Sequence, residues 1–168
     1  EGDAAVTDVD RAVALGVTHP LAVARARVQR ALIRHRRAEP GWEEDYAACL
    51  DVLMAHDDWY WEGLARLNRG NELIYRGDHV AARRDLHRAL DLQGDGAASQ
   101  MTAFARHNLG YAAAKSGDLP TALRAYEDAA AHLVPLGVDM SPAAVDRAEA
   151  LLDAGLTTEA ARLLRSAL

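Results

Sequence analysis

The chain has 168 residues, half of them apolar, and a formal net charge of −6. This length suits one domain or one segment of a repeat protein, and the acidic balance argues against general nucleic-acid binding, which depends on an excess of positive charge. No apolar run reaches the roughly 20 residues that cross a bilayer and no signal-peptide pattern is present, so we expect a cytoplasmic protein with no membrane partner.

The elements predicted in chain order are all helices, because no segment alternates with period two for long enough to form a strand. A leading helix is predicted within residues 1–17, and Thr18 and Pro20 suit the start of a second helix. Pro40-Gly41 breaks that helix. The predicted organisation is a leading helix over 1–17, a divergent hairpin over 20–56 and repeats over 58–93, 97–135 and 141–168, with a loop from Gln93 to Gly96.

A short cassette of small residues occurs three times, once in each of the last three hairpins. A glycine at each joint can adopt the left-handed conformation that closes a helix, and in two copies the aspartate that follows can cap the next helix. Such a fixed period indicates stacked units, each burying its apolar face against a neighbour. The copies are Gly70, Gly77-Asp78, Ala82, Leu86 and Ala89; Gly110, Gly117-Asp118, Ala122, Tyr126 and Ala129; and Ala148, Gly155, Ala160, Leu164 and Ala167.

The second copy resembles a tetratricopeptide repeat (TPR). The hairpin from Gly63 to Leu92 is similar, although Arg69 stands where the family prefers leucine. The last hairpin departs further, because Ala148 replaces the first glycine and Leu156 replaces the aspartate. The spacings of 40 and 38 residues between copies exceed the usual period of about 34 and predict an irregular solenoid. The residues that carry the resemblance are Asn108-Leu109-Gly110, Gly117-Asp118, Ala122-Leu123, Tyr126 and Ala129.

The resemblance implies an all-α, right-handed α-solenoid of antiparallel helix hairpins whose first helices line a concave groove. Asn71 and Asn108 fall where peptide-binding members hold an extended backbone, and an amide side chain both donates and accepts. Asn68 and Asn108 are equally suited to tying helix to helix. A carboxylate clamp is not expected, because Leu67, Pro142 and Asp146 stand at its basic positions. The predicted groove comprises Leu64, Leu67, Asn68, Asn71, Tyr75, Phe104, His107, Asn108, Tyr111 and Lys115.

Two other clusters permit a functional and a structural interpretation. Trp59, Tyr60 and Trp61 cannot all face one side of a helix, so we keep them as a secondary interaction patch. The arginines at 27, 30, 34 and 37 form one stripe, which suits either phosphate binding or pairing with acidic neighbours. Those neighbours are Glu43, Glu44, Asp45, Asp57 and Asp58.

The sequence offers no catalytic constellation. Cys49 is the only cysteine, follows two alanines in a helical pattern, and is expected to pack as a small apolar residue. His56 lies two helical turns from it, too far to act as its base. No phosphate loop, nucleophile elbow or HExxH motif is present, and the scattered histidines lack zinc-binding geometry. We therefore expect neither an enzyme nor a cofactor or metal.

The predicted function is a protein–protein interaction or scaffold module that binds a partner protein or peptide in the groove. Two alternatives stay open: a signal-sensing module that binds a small ligand or peptide, and self-association as a homo-oligomer through the apolar last helix, which runs to Leu168. The chain starts at Glu1 without methionine, so we expect a piece of a larger protein. The alanine-rich, arginine-rich style also resembles repeats in large actinobacterial proteins, some beside a caspase-like CHAT domain and others in transcriptional regulators.

Overall fold

The structure is a computed structural model that describes residues 2–15, 19–93 and 100–167. Within these ranges the chain forms nine α-helices, one 3-10 turn and no strand, so the all-α prediction is confirmed. The predicted cap at Thr18, the loop at Gly94–Gly96 and the chain end at Leu168 lie outside the described residues. The elements are α1 (Gly2–Leu15), α2 (Pro20–Arg36), α3 (Trp42–Ala55), α4 (Trp59–Tyr75), α5 (His79–Asp91), α6 (Gln100–Lys115), α7 (Leu119–Leu133), the 3-10 turn (Val134–Leu136), α8 (Ser141–Asp153) and α9 (Thr157–Ala167).

None of the helices in the described ranges combines the length and the apolarity that a membrane span requires. The chain divides into two compact units, Glu1–Arg69 and Gly70–Leu168, with the boundary inside α4. Each unit is described separately below.

The first unit has its core between α2 and α3, which pack together and are joined by a short loop. Tyr46 and Leu53 of α3 are completely buried against Val28 of α2. Trp42 at the start of α3 meets Tyr46 edge-on, with ring centroids 6.1 Å apart. Ala65 of α4 closes the same core. The remaining buried members are Ala24, Ala31, Cys49 and Leu50.

A buried carboxylate ties three helices of this unit together. Asp45 of α3 is 4% exposed. Arg30 donates to its two oxygens at 2.8 and 2.5 Å, and Arg34 donates at 2.8 Å. Arg30 also donates to Asp10 of α1 at 3.0 Å. The hydrogen bonds that Arg30 donates, chiefly those to Asp45, raise the pKa of Arg30. Arg30 and Arg34 therefore pair with an acidic neighbour, as one of the two interpretations of the arginine stripe predicted.

The second unit is centred on α6, which packs against α5, α7 and α8, while α8 pairs with α9. Short loops join α6 to α7 and α8 to α9, so the helices of each pair run antiparallel. Gly110 lets α6 approach α7: a Cβ there would lie 3.0 Å from the Tyr126 ring and 3.1 Å from the Ala122 carbonyl oxygen. Gly70 meets Leu86 of α5 in the same manner. Gly70 and Gly110 therefore mark close contacts between helices.

The predicted helix joints are present. Gly77, Gly117 and Gly155 have φ angles of 81°, 82° and 78°, the left-handed region that glycine enters without strain. Asp78 and Asp118 follow the first two of these glycines. Their carboxylates accept hydrogen bonds from the backbone N–H groups of Ala81 and Thr121, at 3.0 and 3.1 Å. These are N-caps of the usual kind, and they stabilise the starts of α5 and α7.

Candidate functional site

In the first unit, the predicted groove residues contribute mainly to packing. Leu64 packs against the core of that unit. Leu67 is only 7% exposed, so the expectation that it lines an open groove needs correction: its side chain offers almost no surface to a ligand. Asn68 is half-buried.

In the second unit, two tyrosine rings lie together at the surface. Tyr75, at the end of α4, is 65% exposed, and Tyr111 of α6 is half-buried. Their ring centroids are 5.8 Å apart with an interplanar angle of 53°. Phe104, two turns earlier on α6, is also partly exposed. The structure thus brings together two predicted groove aromatics that are 36 residues apart in the sequence.

Lys115 lies beside this tyrosine pair, and carboxylates of α8 already balance its charge. Its ammonium group is 5.3 Å from the centre of the Tyr111 ring. It donates to Glu149 at 2.5 Å and lies 3.5 Å from Asp153. The hydrogen bond to Glu149 raises the pKa of Lys115. Lys115 is therefore poorly placed to attract an acidic group of a partner.

His107 belongs to the same helix but faces inward. It is buried, with Nε2 2.9 Å from an Asp146 carboxylate oxygen and its ring centroid 5.0 Å from that of Tyr126. This bond joins α6 to α8. The expectation that His107 contacts a ligand in an open groove therefore needs correction, because its ring and one nitrogen are engaged within the unit.

We define the tyrosine face as Tyr75, Tyr111, Asp146, Glu149 and Asp153. Burial raises the pKa of both phenols, and the carboxylates of α8 raise it further, so both hydroxyls are protonated at neutral pH. The negative field at the rings comes from carboxylates of α8 and, at Tyr75, also from Glu72 of α4. The sequence prediction named no residue of α8 as a groove member, although the spacing i, i+3 and i+7 of these three acids places them on one helix face.

Asn71 of α4 and Asn108 of α6 are both half-buried, which leaves part of each side chain accessible. Asn71 lies one helical turn before Tyr75, and Asn108 lies one turn before Tyr111 and Ala112. The two amides therefore flank the tyrosine face along their helices.

The aromatic patch of the first unit divides as the helix geometry required. Trp59 and Tyr60 are exposed, whereas Trp61 packs against the core. Arg25 lies 6.0 Å from the centre of the Trp61 ring and donates to Asp58 at 2.8 Å. This patch has two exposed rings, Trp59 and Tyr60.

The only cysteine is inert in this fold. Cys49 is completely buried and its thiol donates to the Tyr46 carbonyl oxygen at 3.3 Å. Burial raises the pKa of the thiol to about 12, so a reactive thiolate is absent at neutral pH. Among the described residues, no three histidine, cysteine or acidic side chains are arranged to hold a metal ion.

Two cavities lie within the second unit. One, of about 490 Å³, lies between α5, α6 and α7 and is lined by Arg83, Arg106 and Leu109 among others. Arg106 donates there to Nε2 of His132 at 2.9 Å. The other, of about 270 Å³, lies between α6, α7, α8 and α9. Sequence reasoning predicted neither cavity, because both depend on how distant helices pack.

No protein-family model matches this chain, and neither a curated protein nor a solved structure matches it. The resemblance to tetratricopeptide repeats therefore depends on the residue pattern in the sequence.

Proposed function

We propose that this chain is a protein–protein interaction module of the tetratricopeptide type, with its hairpins stacked as a right-handed solenoid within a larger protein. Its ligand would be an extended peptide segment of a partner protein, bound on the tyrosine face. The observation that carries the proposal is the Tyr75–Tyr111 ring pair, with Tyr75 exposed and Tyr111 half-buried, on two of the helices that the family uses for binding. Clustered tyrosines at a surface are typical of residues that dominate interface energetics.

The polar groups beside the rings suit a peptide backbone. Asn71 and Asn108 are accessible amides, and each can donate to a backbone carbonyl while accepting from a backbone N–H. A peptide that runs along the tyrosine face would pass both amides. This combination of aromatic anchors and amides supports a peptide ligand over a purely apolar one.

The charge of the face favours a peptide with a basic side chain. Glu149 and Asp153 of α8 face Lys115 there, and Lys115 already shows that an ammonium group fits between Glu149 and the Tyr111 ring. A cation over an aromatic face gains electrostatic energy from the ring. An acidic peptide would meet carboxylates and no free cation on this face.

The proposal is tested by selecting peptides from a random display library and measuring their affinities by fluorescence anisotropy. We expect peptides containing arginine or lysine to be enriched. The Tyr75→Ala/Tyr111→Ala variant should weaken binding at least tenfold, which corresponds to about 1.4 kcal/mol. The matched control is Val80→Ala, which truncates an exposed apolar residue of α5 and should leave binding unchanged.

The possible outcomes test two hypotheses separately: that peptides bind the tyrosine face, and that this face prefers basic peptides. Peptides that bind both variants equally would place the site elsewhere, and a selection that enriches no peptide would count against the interaction function itself. Acidic or neutral peptides that require the two tyrosines would support the face and contradict its preference for basic partners. Helical circular dichroism of each variant confirms that the fold is kept.

A further inference from the structure

The smaller cavity of the second unit has mostly apolar walls with a few polar groups. Its volume is about 270 Å³. Apolar side chains come from α7, the 3-10 turn, α8 and α9, including Ala130, Val134, Ala144 and Leu163. His107, Tyr126 and Arg147 supply polar groups from α6, α7 and α8. A largely apolar cavity with a few convergent polar groups is the usual form of a small-molecule site.

Two of the residues that line this cavity carry a buried hydrogen-bond donor without a partner. Tyr126 is 4% exposed, and its hydroxyl makes no hydrogen bond with any described residue. The Nε–H group of Arg147 is likewise buried and unpaired. Buried polar groups in folded proteins nearly always have a partner, so each exception calls for an explanation. Because both unpaired groups belong to residues that line one cavity, a single explanation should account for both.

The unpaired groups determine which ligand atom they need. The Arg147 Nε–H can only donate. Burial raises the pKa of Tyr126, so its hydroxyl keeps its proton and donates as well. A ligand oxygen that accepts both hydrogen bonds would satisfy them together. The Nε2 atom of His107, which also lines the cavity, is engaged with Asp146.

The charges around the cavity favour a neutral ligand over an anion. Arg147 already donates to Glu127 at 3.0 Å, so its charge is balanced. Asp146, the residue before Arg147 in the sequence, adds a further negative charge near the same wall. A ligand carboxylate would therefore lie near the negative charges of Glu127 and Asp146, which pair with the lining residues Arg147 and His107, whereas a neutral carbonyl oxygen accepts the same two hydrogen bonds without that repulsion.

We propose that this cavity binds an uncharged, mainly apolar small molecule whose carbonyl oxygen accepts hydrogen bonds from the Tyr126 hydroxyl and the Arg147 Nε–H. The ligand class comprises ketones, esters, amides and lactones of modest size. A cavity of about 150 Å³ holds benzene, so this larger one accommodates a ring that carries a carbonyl substituent. The residues that line this cavity do not include Tyr75 or Tyr111, and the site gives the module a second ligand of a different chemical class.

Three probes of similar shape isolate the role of the oxygen. Acetophenone carries a neutral carbonyl, ethylbenzene has nearly the same shape with no acceptor, and benzoate carries a negative charge. Titrations followed by amide NMR shifts give the dissociation constant of each probe and show which residues respond. We expect acetophenone to shift amides of α7 and α8 around the cavity, and to bind about fivefold more tightly than ethylbenzene and more tightly than benzoate.

Variants then test the two walls of the site. Tyr126→Phe removes only the unpaired hydroxyl and keeps the ring against Gly110, so it should fold. It should weaken acetophenone about fivefold and leave ethylbenzene unchanged. Tyr46→Phe makes the same chemical change in the core of the first unit and should alter neither affinity. Ala144→Leu fills the cavity and should abolish binding of all three probes.

Contrary results are equally definite. Acetophenone binding that is equal in the wild type and in Tyr126→Phe would overturn the proposed hydrogen bond, as would equal affinities for acetophenone and ethylbenzene. Tighter binding of benzoate would overturn the preference for a neutral ligand. Probes that shift no amide near the cavity would overturn the site as a whole.

Discussion

Replacing Gly110 by alanine tests the closest helix contact in the second unit. The added Cβ would lie 3.0 Å from Cδ1 of Tyr126, 3.1 Å from the Ala122 carbonyl oxygen and 3.1 Å from Cβ of Ala125. Two of these three atoms belong to the backbone or directly adjoin it. They cannot rotate away, so α6 and α7 must separate by a few tenths of an ångström to accept the methyl group.

Two opposing terms set the size of the effect. Alanine is favoured over glycine inside a helix by about 1 kcal/mol. Overpacking a tight contact costs about 1–3 kcal/mol, and three simultaneous contacts at an immovable wall place Gly110→Ala in the middle of that range. The difference predicts a net loss of about 1 kcal/mol in the free energy of unfolding.

Chemical denaturation followed by circular dichroism measures this loss, and two controls isolate its cause. Ala131→Gly, at an exposed position of α7, gives the helix-propensity term alone and should cost about 1 kcal/mol. Gly70→Ala should cost less than Gly110→Ala, because its nearest contacts at 2.9 and 3.0 Å are atoms of the Leu86 side chain. A Gly110→Ala protein that is more stable than the wild type by the propensity term would refute the close contact.

Three further predictions concern the first unit. Asp45→Ala leaves two guanidinium groups without their buried partner and should destabilise the fold by about 3 kcal/mol, measured by denaturation, whereas Asp51→Ala at an exposed position of the same helix should have little effect. Ala38→Gly should raise the melting temperature, because Ala38 has a φ of 54° and the left-handed region costs a non-glycine residue about 1 kcal/mol. Burial raises the pKa of the Cys49 thiol from 9.0 to about 12. The stability that the thiol contributes is therefore complete below pH 9 and is lost as the pH rises through the folded-state pKa. At pH 9 Cys49 should react with a thiol reagent only when the protein unfolds, whereas an exposed cysteine in the Ala47→Cys/Cys49→Ala variant should react at once.

The helix joints show what the sequence determines locally. Glycine followed by aspartate carries both the left-handed residue and the next cap in two adjacent positions, so Gly77 and Gly117 could be predicted without knowing any tertiary contact. Ala38 and Asp57 occupy the same left-handed region with φ angles of 54° and 51°. Their residue types do not predict that conformation, which is imposed by the helices that they connect.

Asp45 shows why burial was harder to predict. It was one of five acidic residues offered as partners for the arginine stripe, and nothing in its own neighbourhood distinguished it. Which acid is buried depends on the register of α3 against α2, since Arg30 and Arg34 reach only the carboxylate that faces them. That register is set by packing of Tyr46 and Leu53, a long-range property that composition and periodicity do not contain.

The same limit applies to the candidate site. The tetratricopeptide resemblance placed Tyr75 and Tyr111 among the predicted groove residues, but their exposure differs, because Tyr75 is exposed and Tyr111 is half-buried. His107 and Leu67 share the expected faces too, yet they are buried, because a helix inside a stack has neighbours on more than one side. The acids of α8 were overlooked since their relation to the tyrosines exists only after α6 and α8 pack together.

The cassette position shared by Leu86 and Tyr126 connects the repeat to the proposed cavity. Leu86 packs against Gly70, and Tyr126 packs against Gly110, with both side chains almost completely buried. Leucine, which has no hydroxyl, fills this position against Gly70. The contact of Tyr126 with Gly110 therefore requires its ring and not its hydroxyl. Packing therefore leaves the hydroxyl unexplained, and a function that differs between repeats should be sought at the groups that packing does not require.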